Sequence, residues 1–269
     1  VCKGNPPTAH PQGLGPQHLW PTPAVLVVPG NHAGWARWHT ELAKYVRLQA
    51  ARHGANGAWR YPGGDFLESC RSAGGPLAVA AKHLQRFVEE TAAEYFRKAL
   101  GREPSLVQRL HLSVKESWAS AASAASMPWQ EPHVHPKVAL SGAFYLECGG
   151  IHQEDDNLEA CGLYLQDPRP PAGMAEVPES LRKKLGWGEA SQVRVRAGSL
   201  LLHPAWLYHA GLPLSDALES SNDTEGFPRL RTLVSFTVAV QLLETVPAPA
   251  AGTKDPQSAA REQDNLDEL

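Results

Sequence analysis

What this 269-residue chain lacks narrows its function first. There is no excess of charge of one sign: 25 Lys and Arg face 28 Asp and Glu, a net of −3 with histidine neutral. No general pull toward nucleic acid or anionic lipid is therefore expected. No apolar run approaches the roughly 18–20 residues that cross a bilayer, and Ala24 to Val28 is far too short. Cysteine is sparse, at Cys2, Cys70, Cys148 and Cys161 only, with no C-x-x-C pair. That excludes a disulfide-dense miniprotein and leaves both bridges and free buried thiols open. The sequence holds no G-x-S-x-G, Walker loop, G-x-G-x-x-G or H-E-x-x-H, so triad hydrolase, nucleotide hydrolase, Rossmann oxidoreductase and zincin chemistries have no motif to rest on. No repeat of solenoid or propeller length is visible.

What is present is ordinary globular composition, 42% hydrophobic and 20% charged, enough for one domain with extensions. Residues 1–23 and 246–269 are Pro- or Ala-rich and aperiodic and read as flexible arms. Residues 24–104 read as a helical support region. Trp35, Trp38, Leu42, Tyr45, Val46 and Gln49 follow helical spacing up to Gly54, and Pro76 opens a longer helix whose apolar face runs from Leu77 to Tyr95, with Gly101 after it. Residues 105–245 turn to strand signals: Leu106–Val114, Val138–Leu146, Gly162–Gln166, Gln192–Arg196, Ser199–His203 and Arg231–Leu242. Pro178–Leu185 suggests a surface helix. The pattern predicts a mainly β protein, helices packed on one sheet of a jelly roll. The Ala/Ser-rich stretch Ser117–Ser126 has little to bury and is expected to be an insertion or a flap. Tyr45, Trp59 and Tyr61, near the turn Pro62-Gly63-Gly64-Asp65, read as packing residues, with a substrate loop as the alternative.

Two segments carry chemistry. His133-Val134-His135-Pro136 precedes a strand, and extended backbone puts residues i and i+2 on one side, so both imidazoles can converge on one cation. The segment from Gly198 to His209 supplies a third imidazole after a glycine turn, a short apolar strand and a Pro break. His133, His135 and His209 would hold a divalent metal on one face and leave its other positions open. His203 competes for the third place, and its reading as a strand residue in the wall is preferred. Arg231, at the head of the last strong strand, would serve as a buried fork for a carboxylate if it points inward; Arg229 is its alternate.

These blocks, in order, are H-x-H-P at 133–136, Leu-Ser-Gly-Ala-Phe-Tyr-Leu at 140–146, Asp-Pro-Arg at 167–169, Gly198 through Pro204-Ala205-Trp206 to His209, and Arg231 with Ser235-Phe236, preceded by Trp118. Together they resemble the 2-oxoglutarate/Fe(II)-dependent oxygenase family over about residues 118–240. The resemblance implies a double-stranded β-helix of the cupin-like kind that binds Fe(II) and 2-oxoglutarate, with O₂ as co-substrate. It implies His133, His135 and His209 as metal ligands, Arg231 as partner of the distal carboxylate of 2-oxoglutarate, and Tyr145, Ser141 and Trp206 as residues of the cosubstrate pocket. The activity implied is a dioxygenase that couples decarboxylation to oxidation of a C–H bond, in a small-molecule or protein substrate. Most 2-oxoglutarate oxygenases have His-x-Asp or His-x-Glu where this chain has His-x-His, so Glu147, Asp155, Asp156 or Asp167 stands as an alternative ligand. Two other readings compete: a cupin-like three-histidine dioxygenase without 2-oxoglutarate, and a non-catalytic β-barrel binding module.

Compartment rests on three sequence hints: the sequon Asn222-Asp223-Thr224, the final Leu266-Asp267-Glu268-Leu269, and the capacity for disulfides. They point to the endoplasmic reticulum lumen or secretory pathway, with the cytoplasm as the alternative.

Overall fold

The computed structural model describes residues 24–29, 34–53, 58–100, 104–123, 131–148, 161–166, 190–211 and 230–244. The expected helix at 178–185 and both terminal arms lie outside them. In chain order the elements are β1 (Val25–Val27), α1 (Trp35–His53), β2 (Ala58–Arg60), α2 (Phe66–Ala73), α3 (Gly75–Leu100), α4 (Pro104–Gln108), β3 (Leu110–Ala122), β4 (Leu140–Cys148), β5 (Gly162–Gln166), β6 (Ala190–Arg194), β7 (Leu200–Pro204), β8 (His209–Gly211) and β9 (Arg231–Leu242).

Every pairing among the described strands is antiparallel. The larger sheet runs β1-β7-β4-β9-β3-β2 and faces a smaller one, β6-β5-β8. Strands consecutive in sequence are thus distributed between two sheets, as in a double-stranded β-helix. The two faces of the larger sheet differ because alternate residues point to opposite sides. On one face Phe144, Leu146, Val234, Phe236 and Val238 join the helices in the main core. On the other, Tyr145, Leu201 and Leu233 join Leu163, Leu165 and Leu207 of the smaller sheet and its loop.

Helices α1 and α3 cover the outer face through the stripes that their sequences mark. Trp38, Leu42, Ala43 and Val46 are buried on α1, and Ala80, Ala81, Leu84, Phe87, Val88, Thr91, Ala92 and Tyr95 on α3. Trp38 and Phe87 both meet Phe144, at 5.2 and 6.3 Å between ring centroids. The Pro-Gly-Gly-Asp turn leads into α2: Asp65 caps it by accepting from Glu68 N at 3.1 Å, and the Ser117 hydroxyl accepts from Leu67 N at 2.8 Å while donating to Asp65. None of the described helices is long and apolar enough to cross a membrane.

Two expectations are corrected. The Ala/Ser-rich stretch is no flap over residues 117–122: it is the second half of β3, paired residue for residue with β9 from Ser117↔Phe236 to Ala122↔Arg231. Ser117, Ala119 and Ala121 are buried under the helices, where small side chains let the sheet and helices approach closely. Residues 106–108, expected at the start of a strand, belong to the short helix α4, which Pro104 opens. In addition, residues 24–104 contribute two strands, β1 and β2, which form the edges of the larger sheet; three residues each are too few to show a period.

Candidate functional site

The H-x-H segment is held as an extra edge of the smaller sheet. His133 and His209 exchange both backbone hydrogen bonds, at 3.0 and 3.1 Å, and form an antiparallel bridge beside β8. The His135 amide donates to the Ala205 carbonyl at 2.9 Å, and the Ala205 amide donates to Ala139 O at 3.1 Å. The chain on both sides of the second histidine is thereby anchored to the loop that leads to the third.

The three side chains converge. One ligand nitrogen from each of His133, His135 and His209 lies within 4.8 Å of the others, and the ring centroids are 4.5–5.2 Å apart. Two of the rings are oriented by backbone acceptors, His133 Nδ1 at 3.1 Å from Glu131 O and His209 Nδ1 at 2.9 Å from Leu207 O. With Nδ1–H donating there, Nε2 keeps its lone pair for a metal, the arrangement usual behind a metal-bound imidazole. Burial pushes His209 down to about 3, with the neighbouring His203 adding to it, and lowers His135 by the same cause with help from His133. At neutral pH both rings are therefore neutral, which a ligand needs. The donor set fits a borderline divalent cation such as Fe(II).

His203 lies in the wall, as expected from its place on β7. It is 1% exposed, its Nδ1 is 2.9 Å from Pro204 O, and its ring stands 4.4 Å from that of His209. Burial lowers it to about 4. It is not part of the three-nitrogen group.

Arg231 points inward. It is 3% exposed and lines the same cavity as the three histidines. Burial brings it down to about 10, partly offset by the adjacent Tyr145, so it stays a cation at neutral pH. Burial raises Tyr145 to about 12, and its hydroxyl is neutral. Both residues share the cavity with Ser141, whose hydroxyl reaches Phe236 O at 3.5 Å. The cavity holds about 840 Å³, its open mouth included.

Trp206, expected in the pocket, is not there. It is 54% exposed and absent from the cavity wall. Residues 205 to 209 alternate, with Ala205, Leu207 and His209 buried and Trp206 and Tyr208 exposed, so the backbone that turns His209 inward turns Trp206 outward. Glu147 does not serve as a carboxylate ligand: it sits at the bulge of β4, ion-paired with Arg47 at 2.6 Å and accepting from Thr232 at 2.9 Å. Asp155, Asp156, Asp167 and Arg229 lie outside the described residues.

Some cavity residues had no sequence signal. Arg60 and Ser120 line it from β2 and β3. Gly142, the glycine of the Leu-Ser-Gly block, is required on steric grounds, since a β-carbon there would collide with Leu201 O and lie 2.9 Å from the Leu202 side chain. Cys148 and Cys161 form a disulfide, joining the end of β4 to the residue before β5, while Cys70 is a buried free thiol.

Fold and site together define a double-stranded β-helix with three convergent imidazoles that could hold a metal ion and a buried arginine in one cavity. Residues 116–219 match the model of the family described as "Putative 2OG-Fe(II) oxygenase", and over that segment the chain is similar to this family. Among solved structures it is similar to AviO1 of Streptomyces viridochromogenes Tue57, at 13% identity over 84% of this chain and 93% of that one, TM-score 0.46. It is also similar to HygX of Streptomyces hygroscopicus with nickel and 2-oxoglutarate bound, at 15% identity over 81% and 83%, TM-score 0.41. A third similar structure is a Pseudomonas putida prolyl-4-hydroxylase, at 12% identity over 81% and 93%, TM-score 0.37. No curated protein matches the chain.

Proposed function

We propose that this oxygenase hydroxylates a C–H bond of its substrate, with His133, His135 and His209 holding Fe(II) and Arg231 binding the distal carboxylate of 2-oxoglutarate. The observation that carries the reading is the placement of three convergent imidazoles and one buried guanidinium in a single cavity. Bound Fe(II) would supply the redox chemistry that couples O₂ to loss of CO₂ from 2-oxoglutarate.

The chain's own groups position and shield. Arg231 offers two parallel N–H donors to a carboxylate, in a setting where water competes little. The Tyr145 hydroxyl stands on the same wall as a further donor to the cosubstrate, with Ser141 beside it. Leu163, Leu201 and Leu233 line the cavity and keep water from the reacting centre. The backbone bonds at Nδ1 of His133 and His209 hold those protons away from the cavity, which leaves Nε2 free to ligate.

Anaerobic addition of Fe(II) and 2-oxoglutarate tests the reading. A weak visible charge-transfer band should grow, and His133→Ala and His209→Ala should each abolish it. With O₂, succinate should form above a metal-free blank. A band that survives both substitutions would overturn the ligand assignment. Succinate release that Arg231→Ala leaves unchanged would overturn its assignment to the cosubstrate carboxylate. A metal dioxygenase that needs no keto acid would turn over without 2-oxoglutarate.

The reading extends to compartment. The Cys148–Cys161 bond and the sequon at Asn222 support an oxidising, lumenal setting. A glycosidase-sensitive mobility shift of the chain made in cells, lost in Asn222→Gln, would bear this out; a chain that is unglycosylated and has free thiols at 148 and 161 would refute it.

A further inference from the structure

We infer that Arg60 is the substrate anchor of this site and that the substrate bears an anionic group, a carboxylate or its equivalent. The inference rests on the 2-oxoglutarate reading in one respect: Arg231 is taken by the cosubstrate, which leaves Arg60 for the other reactant.

The sheet register places Arg60 where a substrate enters. Arg60 pairs with Ser120 of β3, Ser120 pairs with Leu233 of β9, and Leu233 pairs with Tyr145 of β4. These four residues form one row across the cavity face, and all four line the cavity. Arg231 lies two residues from Leu233 along β9, on the same face. At about 4.8 Å between strands and 3.4 Å per residue, the two arginine backbones are roughly 12 Å apart. They start from separate points of the cavity wall, and the Arg60 guanidinium is turned to the Trp118 ring.

The guanidinium is presented rather than neutralised. It lies over the Trp118 ring, 5.8 Å from the centroid, and Trp118 in turn packs against the His135 ring at 5.4 Å. An aromatic platform holds a guanidinium flat and leaves its N–H edge open to a ligand. Among the described residues Arg60 makes no ion pair and no carboxylate lines the cavity. A guanidinium so placed favours an anionic reactant, against the charge of Glu116, which reaches His135. The stack from Arg60 through Trp118 to His135 also ties the anchor to the metal cluster with a single indole between them. A substrate held at Arg60 therefore presents atoms a few bonds from its anionic group to the centre.

The test uses benzoate, with neutral benzamide as its isostere, titrated into the chain loaded with redox-silent Zn(II) and 2-oxoglutarate, and into the metal-free chain. Signals of the Arg60 Nε–H and Trp118 indole N–H are followed by NMR. Benzoate should shift both signals, benzamide should bind at least tenfold more weakly, and Arg60→Gln should weaken benzoate at least tenfold while 2-oxoglutarate uptake stays as in wild type. Equal binding of the two probes, unchanged benzoate affinity in Arg60→Gln, or no shift at Arg60 would overturn the inference. So would loss of 2-oxoglutarate binding in Arg60→Gln, which would make Arg60 a cosubstrate residue. Failure of wild type to take up 2-oxoglutarate would instead strike at the oxygenase reading, and the metal-free arm would still decide the Arg60 site.

Discussion

Cys148 lies directly opposite Arg231 in the β4–β9 ladder, and its sulfur is bonded to Cys161, the residue that precedes β5. The bond thus staples the larger sheet to the smaller one at the end of the cavity where the arginine stands. Replacing both cysteines by serine should cost about 3 kcal/mol of stability, the scale for a closed loop of this length. Urea unfolding of the double variant against wild type would measure it. Weaker 2-oxoglutarate binding should accompany the loss, because the walls on either side of Arg231 are no longer tied; unaltered binding would confine the bond to stability.

Arg231→Lys is the sharper test of the anchor than Arg231→Ala. Lysine keeps the charge and loses the parallel pair of donors, so the apparent KM for 2-oxoglutarate should rise roughly 10- to 100-fold, as expected for about 1.5–3 kcal/mol lost from a charged hydrogen bond. Steady-state kinetics at saturating substrate would show it as an effect on KM more than on kcat. A KM equal to that of wild type would remove Arg231 from the cosubstrate pocket.

Gly142→Ala should destabilise the fold. The new β-carbon would press on Leu201 O, the Leu202 side chain and Phe236, in the middle of the ladder between β4, β7 and β9, and Leu201 O belongs to the backbone and cannot swing away. Overpacking of this kind costs about 1–3 kcal/mol, readable as a lower urea midpoint with an unchanged slope. An unshifted midpoint would mean that β4 and β7 can separate at no cost.

His39 predicts a pH dependence. Its ring lies between Trp35 and Phe144, with Nε2 2.8 Å from Leu146 O. Burial holds it below the ordinary imidazole value, despite that bond and the nearby Glu147 charge. The unfolded chain therefore takes up the proton first as pH falls. The contribution is complete above about pH 6.5 and is lost as pH falls from there through the lower folded value. Unfolding free energies at pH 7.5 and 5.5 should differ less in His39→Gln than in wild type. An equal or larger difference in the variant would contradict the assignment.

Much of the architecture is legible in the sequence because it is written in local periods. The apolar stripe of α3 and the alternation of β5 and β9 fall where the pattern puts them, β5 and β9 to the residue. The second half of β3 was not legible. Alanine and serine carry no strand signal of their own, and what makes 117–122 a strand is the β9 ladder and the helices above it. Trp206 shows the opposite case, since the alternation that turns His209 inward was available in the sequence and places Trp206 outside.

The sequence by itself determined the chemical identity of the site: an H-x-H pair on extended backbone, a third histidine behind a Pro break, and an arginine heading a strand. Spacing along the chain suffices for these because neighbouring residues are geometrically bound to one another. Only the tertiary structure decided that His133 would hydrogen-bond His209 across 76 residues, that Cys148 would choose Cys161, and that an arginine from a three-residue edge strand would enter the cavity. Those meetings are set by strand register and by which faces pack together, quantities that arise between distant segments and leave no trace in either one alone.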